Sequence, residues 1–160
     1  MSFASFSGPL RVGTVLNNPG RNAGLVVLSQ SYDSGNLAGT TTGNYDVAAM
    51  ILPAGAQIIN IVIDQVVAAT VGTTTVSVGT TSGGAELSAA VATSLGGRFT
   101  GTTTAATQLA WQTSTSADTT VYIRNVVGTG TLGAGRFIVT VNYAQKAVSG
   151  TTAIANPVSA

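Results

Sequence analysis

Apolar and polar residues alternate along most of this chain with a period of two. In "GRFIVTVNYAQ", residues 135–145, Phe137, Val139, Val141 and Tyr143 share one face, and Ile138, Thr140 and Asn142 share the other. That is the pattern of a half-buried β-strand, because successive side chains of a strand point to opposite faces. "TTVYIRNVV", residues 119–127, repeats it, with Val121, Ile123 and Val127 inward and Tyr122 and Arg124 outward. The same reading predicts strands in "AGLVVLSQSY" from Ala23, "YDVAAMIL" from Tyr45, "AQIINIVIDQVV" from Ala56, "TTTVSVGT" from Thr73 and "ATQLAWQTS" from Ala106. A shorter strand is predicted near Leu10 to Leu16.

Turn signals separate these segments: "NNPGRN", "DSGNLAGTTTGN", "LPAGA", "TSGG" and "GTGTLGAG". Each supplies Gly, Pro, Asn or Asp where the chain must reverse. "GTGTLGAG", residues 128–135, reads as a hairpin loop. "GAELSAAVATSL", residues 84–95, carries helix formers and is expected to hold one or two helical turns. Val, Ile and Thr dominate the strands because branched side chains fit a pleated surface. About eight short strands joined by Gly-rich turns predict an all-β fold, a single-domain β-sandwich of the jelly-roll kind.

The ends depart from this periodicity. "MSFASFSGPL" sets Phe3 and Phe6 in Ser-rich sequence, and "AVSGTTAIANPVSA" trails the last strand. The expected organisation is an N-terminal arm over residues 1–8, a sandwich over 9–146 and a tail over 147–160. Exposed aromatics contribute little unless they anchor a contact, which makes Phe3 and Phe6 interaction candidates.

Charge narrows the picture further. Charged residues are 7% of the chain, with six basic and five acidic groups and a net charge of +1, where about 25% is typical. Such a surface has no electrostatic footprint for nucleic acid or for an anionic membrane. A free monomer so poor in charge has little colloidal protection, so part of the surface is expected to be covered by partners. The chain start lacks a secretory signal pattern, and the most apolar run, residues 57–71, is interrupted by Asn60, Asp64 and Gln65. The expected site of synthesis is the host cytoplasm.

Chemistry is conspicuously missing. There is no His and no Cys, which removes the Ser/His/Asp triad, thiolate chemistry, disulfides and the usual transition-metal ligands. Asp33, Asp46, Asp64, Glu86 and Asp118 are scattered along the chain, so a hydrolytic carboxylate pair needs a tertiary coincidence. "GTGTLGAG" lacks the Lys and the following helix of a phosphate loop, and "SYDSGN", residues 31–36, lacks the closing Glu of a calcium loop. The reading is a protein that is not an enzyme and has no metal or cofactor. Trp111 is expected in or beside the core. Arg11, Arg21, Arg98, Arg124 and Arg136 outnumber Lys146, and Arg suits protein contacts because its planar fork pairs with carboxylates bidentately. Arg11 and Arg21, beside the arm, join Phe3 and Phe6 as interaction candidates.

The segments "SFSGPLRVGTV", "GLVVLSQSYDSG", "AAMILPAGAQIINIVIDQVV" and "VSVGTTSGGAEL" resemble, in style and order, the capsid decoration or cement proteins of tailed bacteriophages. The resemblance runs from about Ser5 to Gln145. It implies a β-rich subunit, a jelly roll in some relatives, on the exterior of the virion head. There it would sit as a homotrimer that bridges neighbouring copies of the major capsid protein. It implies no catalytic residues, and it places bridging contacts on terminal arms. An alternative from the same particle is a fibre, baseplate or receptor-binding module. A Thr-rich ice- or sugar-binding surface ranks last, because the Thr spacing in "TGTTTAATQ" is irregular.

Overall fold

The computed structural model describes residues 25–70, 74–101, 105–112 and 116–146. The expected strand near Leu10 to Leu16 and both expected ends lie outside them. The elements are β1 (Leu25–Asp33), β2 (Thr41–Leu52), β3 (Ala56–Val67), β4 (Thr74–Gly79), β5 (Ser88–Ala92), β6 (Gly97–Thr100), α1 (Ala105–Gln112), β7 (Thr119–Thr131) and β8 (Arg136–Lys146).

The strands form two four-stranded sheets, ordered β1-β8-β3-β6 and β2-β7-β4-β5. Every pairing is antiparallel, and β1 pairs β8, β2 pairs β7, β3 pairs β6 and β4 pairs β5. The first strand therefore meets the last, the second meets the last but one, and so inward. A strip of nested pairs of this kind rolls up when β8 also pairs β3 and β7 also pairs β4. That is a jelly roll, as the strand count and turn spacing predicted.

The inward faces are the predicted ones. Phe137, Val139, Val141 and Tyr143 of β8 and Val121, Ile123 and Val127 of β7 are all buried. Ile61 and Ile63 of β3 and Val76 and Val78 of β4 complete a layer between the sheets. At the turn into β3, Ala56 N donates to Pro53 O at 3.0 Å, and Gly55 has φ +81°. Only glycine takes that conformation without strain at the third position of a type II turn.

Three expectations are corrected. The segment from Ala106 is the helix α1, not a strand. Leu109 is 66% exposed and Trp111 is 7% exposed, although a strand would put residues two apart on one face. On a helix they are about 200° apart, and Ala, Gln and Leu favour that conformation. The expected helical turns in residues 84–95 are instead β5, because pairing with β4 overrides the helix propensity of its alanines. Leu87 N donates to Val78 O at 3.0 Å and Thr93 N to Thr74 O at 2.9 Å, extending that ladder at both ends. Finally, residues 128–135 do not close a hairpin. β7 runs on to Thr131, and the chain then crosses to β8 in the other sheet. Buried Leu132 anchors the crossing in a small cluster with Ala69 and Val127.

Trp111 plugs one end of the sandwich. Its Nε1 donates to Leu87 O at 2.7 Å, which satisfies the indole inside an apolar setting. Gly101 makes room for it, since a Cβ there would lie 3.2 Å from Trp111 Cζ2 and 3.3 Å from Ile61 Cβ.

Candidate interaction surface

The sequence has five carboxylates, and each one is held by a donor from its own chain. Asp46 lies directly opposite Arg124 across β2 and β7. Arg124 Nε reaches Asp46 Oδ1 at 2.7 Å and Nη2 reaches Oδ2 at 3.0 Å. Asp64 and Arg98 are opposed in the same way on β3 and β6, at 2.6 and 3.0 Å. Arg136 grips Asp33 diagonally between β8 and β1, at 3.1 and 2.5 Å. Asp118 Oδ1 accepts from Ala54 N at 2.9 Å at the turn into β3. Glu86 Oε1 accepts from both the amide and the hydroxyl of Thr80.

These partners favour the ionised form of Asp33, Asp46, Asp64 and Glu86. The hydrogen bond from Arg136 draws Asp33 down to about 2, with help from Gly35 N. The Arg124 and Arg98 guanidiniums lower Asp46 and Asp64 in the same manner. Burial pushes Glu86 upward, but the Thr80 bonds and neighbouring amides outweigh it, so its pKa also falls. The shifts of Asp33, Asp46, Asp64 and Glu86 all run away from the neutral range in which a general acid works, and no group of three metal-ligating side chains occurs among the described residues. "SYDSGN" is a turn in which Asp33 Oδ1 takes Gly35 N at 2.9 Å and Asn36 Oδ1 takes Ala38 N at 3.0 Å.

The bidentate geometry expected of the arginines is thus realised inside the chain. Arg98, Arg124 and Arg136 clamp adjacent strands, and their charges are neutralised where they stand. The loop after β4 closes over one clamp: Ser82 Oγ donates to Asp46 Oδ2 at 2.9 Å. Phe3, Phe6, Arg11 and Arg21 lie outside the described residues.

What the surface offers instead is apolar. Ile59 and Val66 are exposed on β3, and both are unpaired residues at breaks in the β3–β8 register, between Ile58 and Asn60 and between Gln65 and Val67. At each bulge two successive side chains share the outer face, Ile59 with Asn60 and Val66 with Val67. Val27, Ile51, Leu95 and Leu109 are exposed as well. Sequence reasoning missed Ile59 and Val66, because an apolar run reads as buried until the partner strand shows which residue is skipped.

A second apolar feature lies between the two edge strands. β1 borders the first sheet and β2 the second, on the same side of the sandwich. Leu28 stands opposite inward-facing Tyr143, Val47 opposite inward-facing Ile123, and Tyr45 opposite buried Asn125. These three therefore point between the sheets, yet they are 40%, 38% and 38% exposed. The seam is fastened by a side chain and not by a ladder: Gln30 Nε2 donates to Ile51 O at 2.9 Å and to Tyr143 Oη at 3.1 Å. Beside it a cavity of about 210 Å³ is lined by Tyr32, Leu37, Tyr45, Val47, Asn125 and Phe137, among others. The buried Oδ1 of Asn125 has no hydrogen-bond partner among the described residues.

No protein-family model matches the chain, and no curated protein matches it in sequence. Solved structures do resemble it in fold. A chain in the capsid of Ralstonia phage GP4 is 20% identical with a TM-score of 0.58, over 87% of this chain and 94% of that one. A chain in the capsid asymmetric unit of cyanophage Pam1 is 22% identical with a TM-score of 0.57, over 86% and 99%. A chain in the acidic stable capsid structure of Helicobacter pylori bacteriophage KHP30 is 14% identical with a TM-score of 0.52, over 77% and 94%. All three are phage capsid structures, the class of particle that the resemblance in sequence pointed to, and what they share with this chain is the fold.

Proposed function

We propose that this chain is a cement protein of a bacteriophage head, seated on the outer surface and bridging neighbouring copies of the major capsid protein. The observation that carries the reading is the likeness to chains of three phage capsids, which spans 77 to 87% of this chain and 94 to 99% of theirs. The physical surface agrees with it. Three aspartates and three arginines neutralise one another in cross-strand clamps, and exposed apolar side chains such as Val27, Ile51, Ile59 and Val66 stand on the same surface. A face of this kind adheres by area and packing, with little dependence on salt. The role asks for no catalysis, and every carboxylate already has structural work.

The proposed assembly is a homotrimer, with Phe3 and Phe6 of each N-terminal arm anchoring on the shell and Arg11 and Arg21 supporting that contact. Three arms held together gain avidity without any new interface, because later attachments become intramolecular. Antiparallel ladders linked by Arg–Asp clamps suit a subunit that must resist outward pressure from packaged DNA.

Heads assembled without this chain test the reading. They are expected to release DNA at a lower temperature than complete heads, and added purified chain is expected to restore the higher value. Equal release temperatures with and without the chain would overturn the cement role. Removal of residues 1–8 is expected to weaken attachment and leave the melting temperature of the free chain unchanged. Undiminished attachment would discard the arm.

A further inference from the structure

We infer that the cavity beside the β1–β2 seam is a binding site for a small phenolic ring, whose hydroxyl hydrogen-bonds to the buried amide of Asn125. The inference goes beyond the capsid reading and does not depend on it. Val121, Ile123, Asn125 and Val127 form an inward row on β7, and Asn125 alone in that row carries a polar side chain. It is 5% exposed and stands between Tyr45 of β2 and Val76 of β4, and its Oδ1 receives no hydrogen bond from any described residue. A buried carbonyl oxygen without a donor is costly, and an apolar side chain would avoid the cost. The amide makes sense as the polar contact for a guest in the cavity that it lines.

The walls specify the guest. Tyr32 and Phe137 of the first sheet meet as a tilted pair, with centroids 6.4 Å apart and planes at 47°, and Tyr45, Val47 and Ile123 line the cavity from the second sheet. Rings gain from tilted and offset packing, which favours an aromatic guest over an aliphatic one. At about 210 Å³ the cavity exceeds an apolar one of about 150 Å³ that takes benzene, so a ring with small substituents has room. Other polar groups of the wall are already engaged. Tyr45 Oη donates to Thr41 O at 2.9 Å, and Ser34 Oγ donates to Gly35 O at 3.1 Å and accepts from Phe137 N at 3.0 Å. No charged side chain lines the cavity among the described residues, so the guest is neutral. A phenol meets that requirement, since its hydroxyl stays protonated below about pH 10. A hydroxyl also both donates and accepts, and so satisfies the Asn125 amide whichever way its oxygen and nitrogen are turned.

The test titrates the full chain with p-cresol and with toluene, which share a ring and a methyl group and differ by the hydroxyl. NMR signals of the Val47 and Ile123 methyl groups and of the Asn125 side-chain amide report occupancy. p-Cresol is expected to saturate these signals and to bind about tenfold more tightly than toluene, the worth of one buried hydrogen bond. Equal binding of the two, or no saturable shift with either, would overturn the inference. Cyclohexanol keeps the hydroxyl and lacks the aromatic ring; binding as tight as that of p-cresol would overturn the phenolic assignment. Asn125→Leu removes the amide at similar size. It is expected to melt no lower than the parent chain and to bind p-cresol and toluene alike, and a surviving preference for p-cresol counts against the inference. If that variant does not fold, the comparison of probes on the parent chain decides alone.

N-Acetyltyrosinamide separates the two sources of a phenol. Displacement of p-cresol by this compound assigns the site to a tyrosine side chain of a neighbouring protein, and its exclusion, with p-cresol bound, assigns the site to a free phenolic compound. Loss of phenol binding leaves the cement reading standing, because that reading is tested on heads.

Discussion

The middle of the sandwich and its β1–β2 side are built from similar residues and end in opposite states. In the middle, β3, β8, β4 and β7 each have a hydrogen-bonded neighbour on both edges, and their inward side chains are almost wholly buried. At the side, β1 and β2 each have one neighbour among the described residues, and inward-facing Leu28, Tyr45 and Val47 stay partly open. The difference lies in position within the sheet order and not in hydrophobicity. A Val at 47 and a Val at 139 have the same side chain, but only Val139 lies beneath both sheets. An edge is where a rolled sandwich must find another strand, and so it is where this protein has room to gain a contact.

Substitutions should separate the two regions sharply. Phe137→Ala, in the sealed middle, is expected to cost about 3–5 kcal/mol through lost burial and a residual cavity, measured by denaturant unfolding. Gly79→Ala comes next. A Cβ there would lie 2.5 Å from the backbone of Gly84, where the loop folds back on β4, so an overpacking cost of about 1–3 kcal/mol is expected. Val47→Ala, at the open side, should fall within about 0.5 kcal/mol, as at an exposed position. A cost at Val47 as large as that of Phe137→Ala would erase the distinction between sealed middle and open side.

The smallest effect expected is acid softening at the edge. Asp33 sits on β1, and its folded pKa of about 2 lies below its unfolded value. Its contribution is therefore complete above about pH 4 and is lost as pH falls through the folded value. Asp46, Asp64 and Glu86 are lowered too and act in the same direction. The melting temperature is expected to decline between pH 4 and 2, and Asp33→Asn should flatten part of that decline. A melting temperature that rose on acidification would contradict the clamps.

Much of the sealed region was legible from alternation alone. Phe137, Val139, Val141 and Tyr143 on one face of β8, with Val121 and Ile123 facing them, follow from a period of two and need no knowledge of partners. The jelly roll followed from strand number and turn spacing. The seam and the bulges were not legible, because exposure at Val47, Ile59 and Val66 depends on which strand lies alongside and which residue its register skips. The β2 alternation even changes phase: Tyr45 and Val47 point inward before the irregularity between Ala48 and Met50, and Met50 and Leu52 after it. Helix α1 was hidden for a related reason. "QLAWQ" fits both periods, and only the packing of Trp111 beneath Leu87 decides between them. The ion pairs were legible as residue types but not as partners, since Asp46 and Arg124 are far apart in sequence and meet through strand pairing.

The place proposed for this chain is the exterior of a phage head, in stoichiometric numbers. Quantitative mass spectrometry of purified, DNA-filled particles, before and after mild surface proteolysis, tests it most directly. The account predicts copies comparable in number to the major capsid protein and accessible from outside. A few copies per particle would point to a fibre, baseplate or receptor-binding part, and absence from the particle would contradict the account outright.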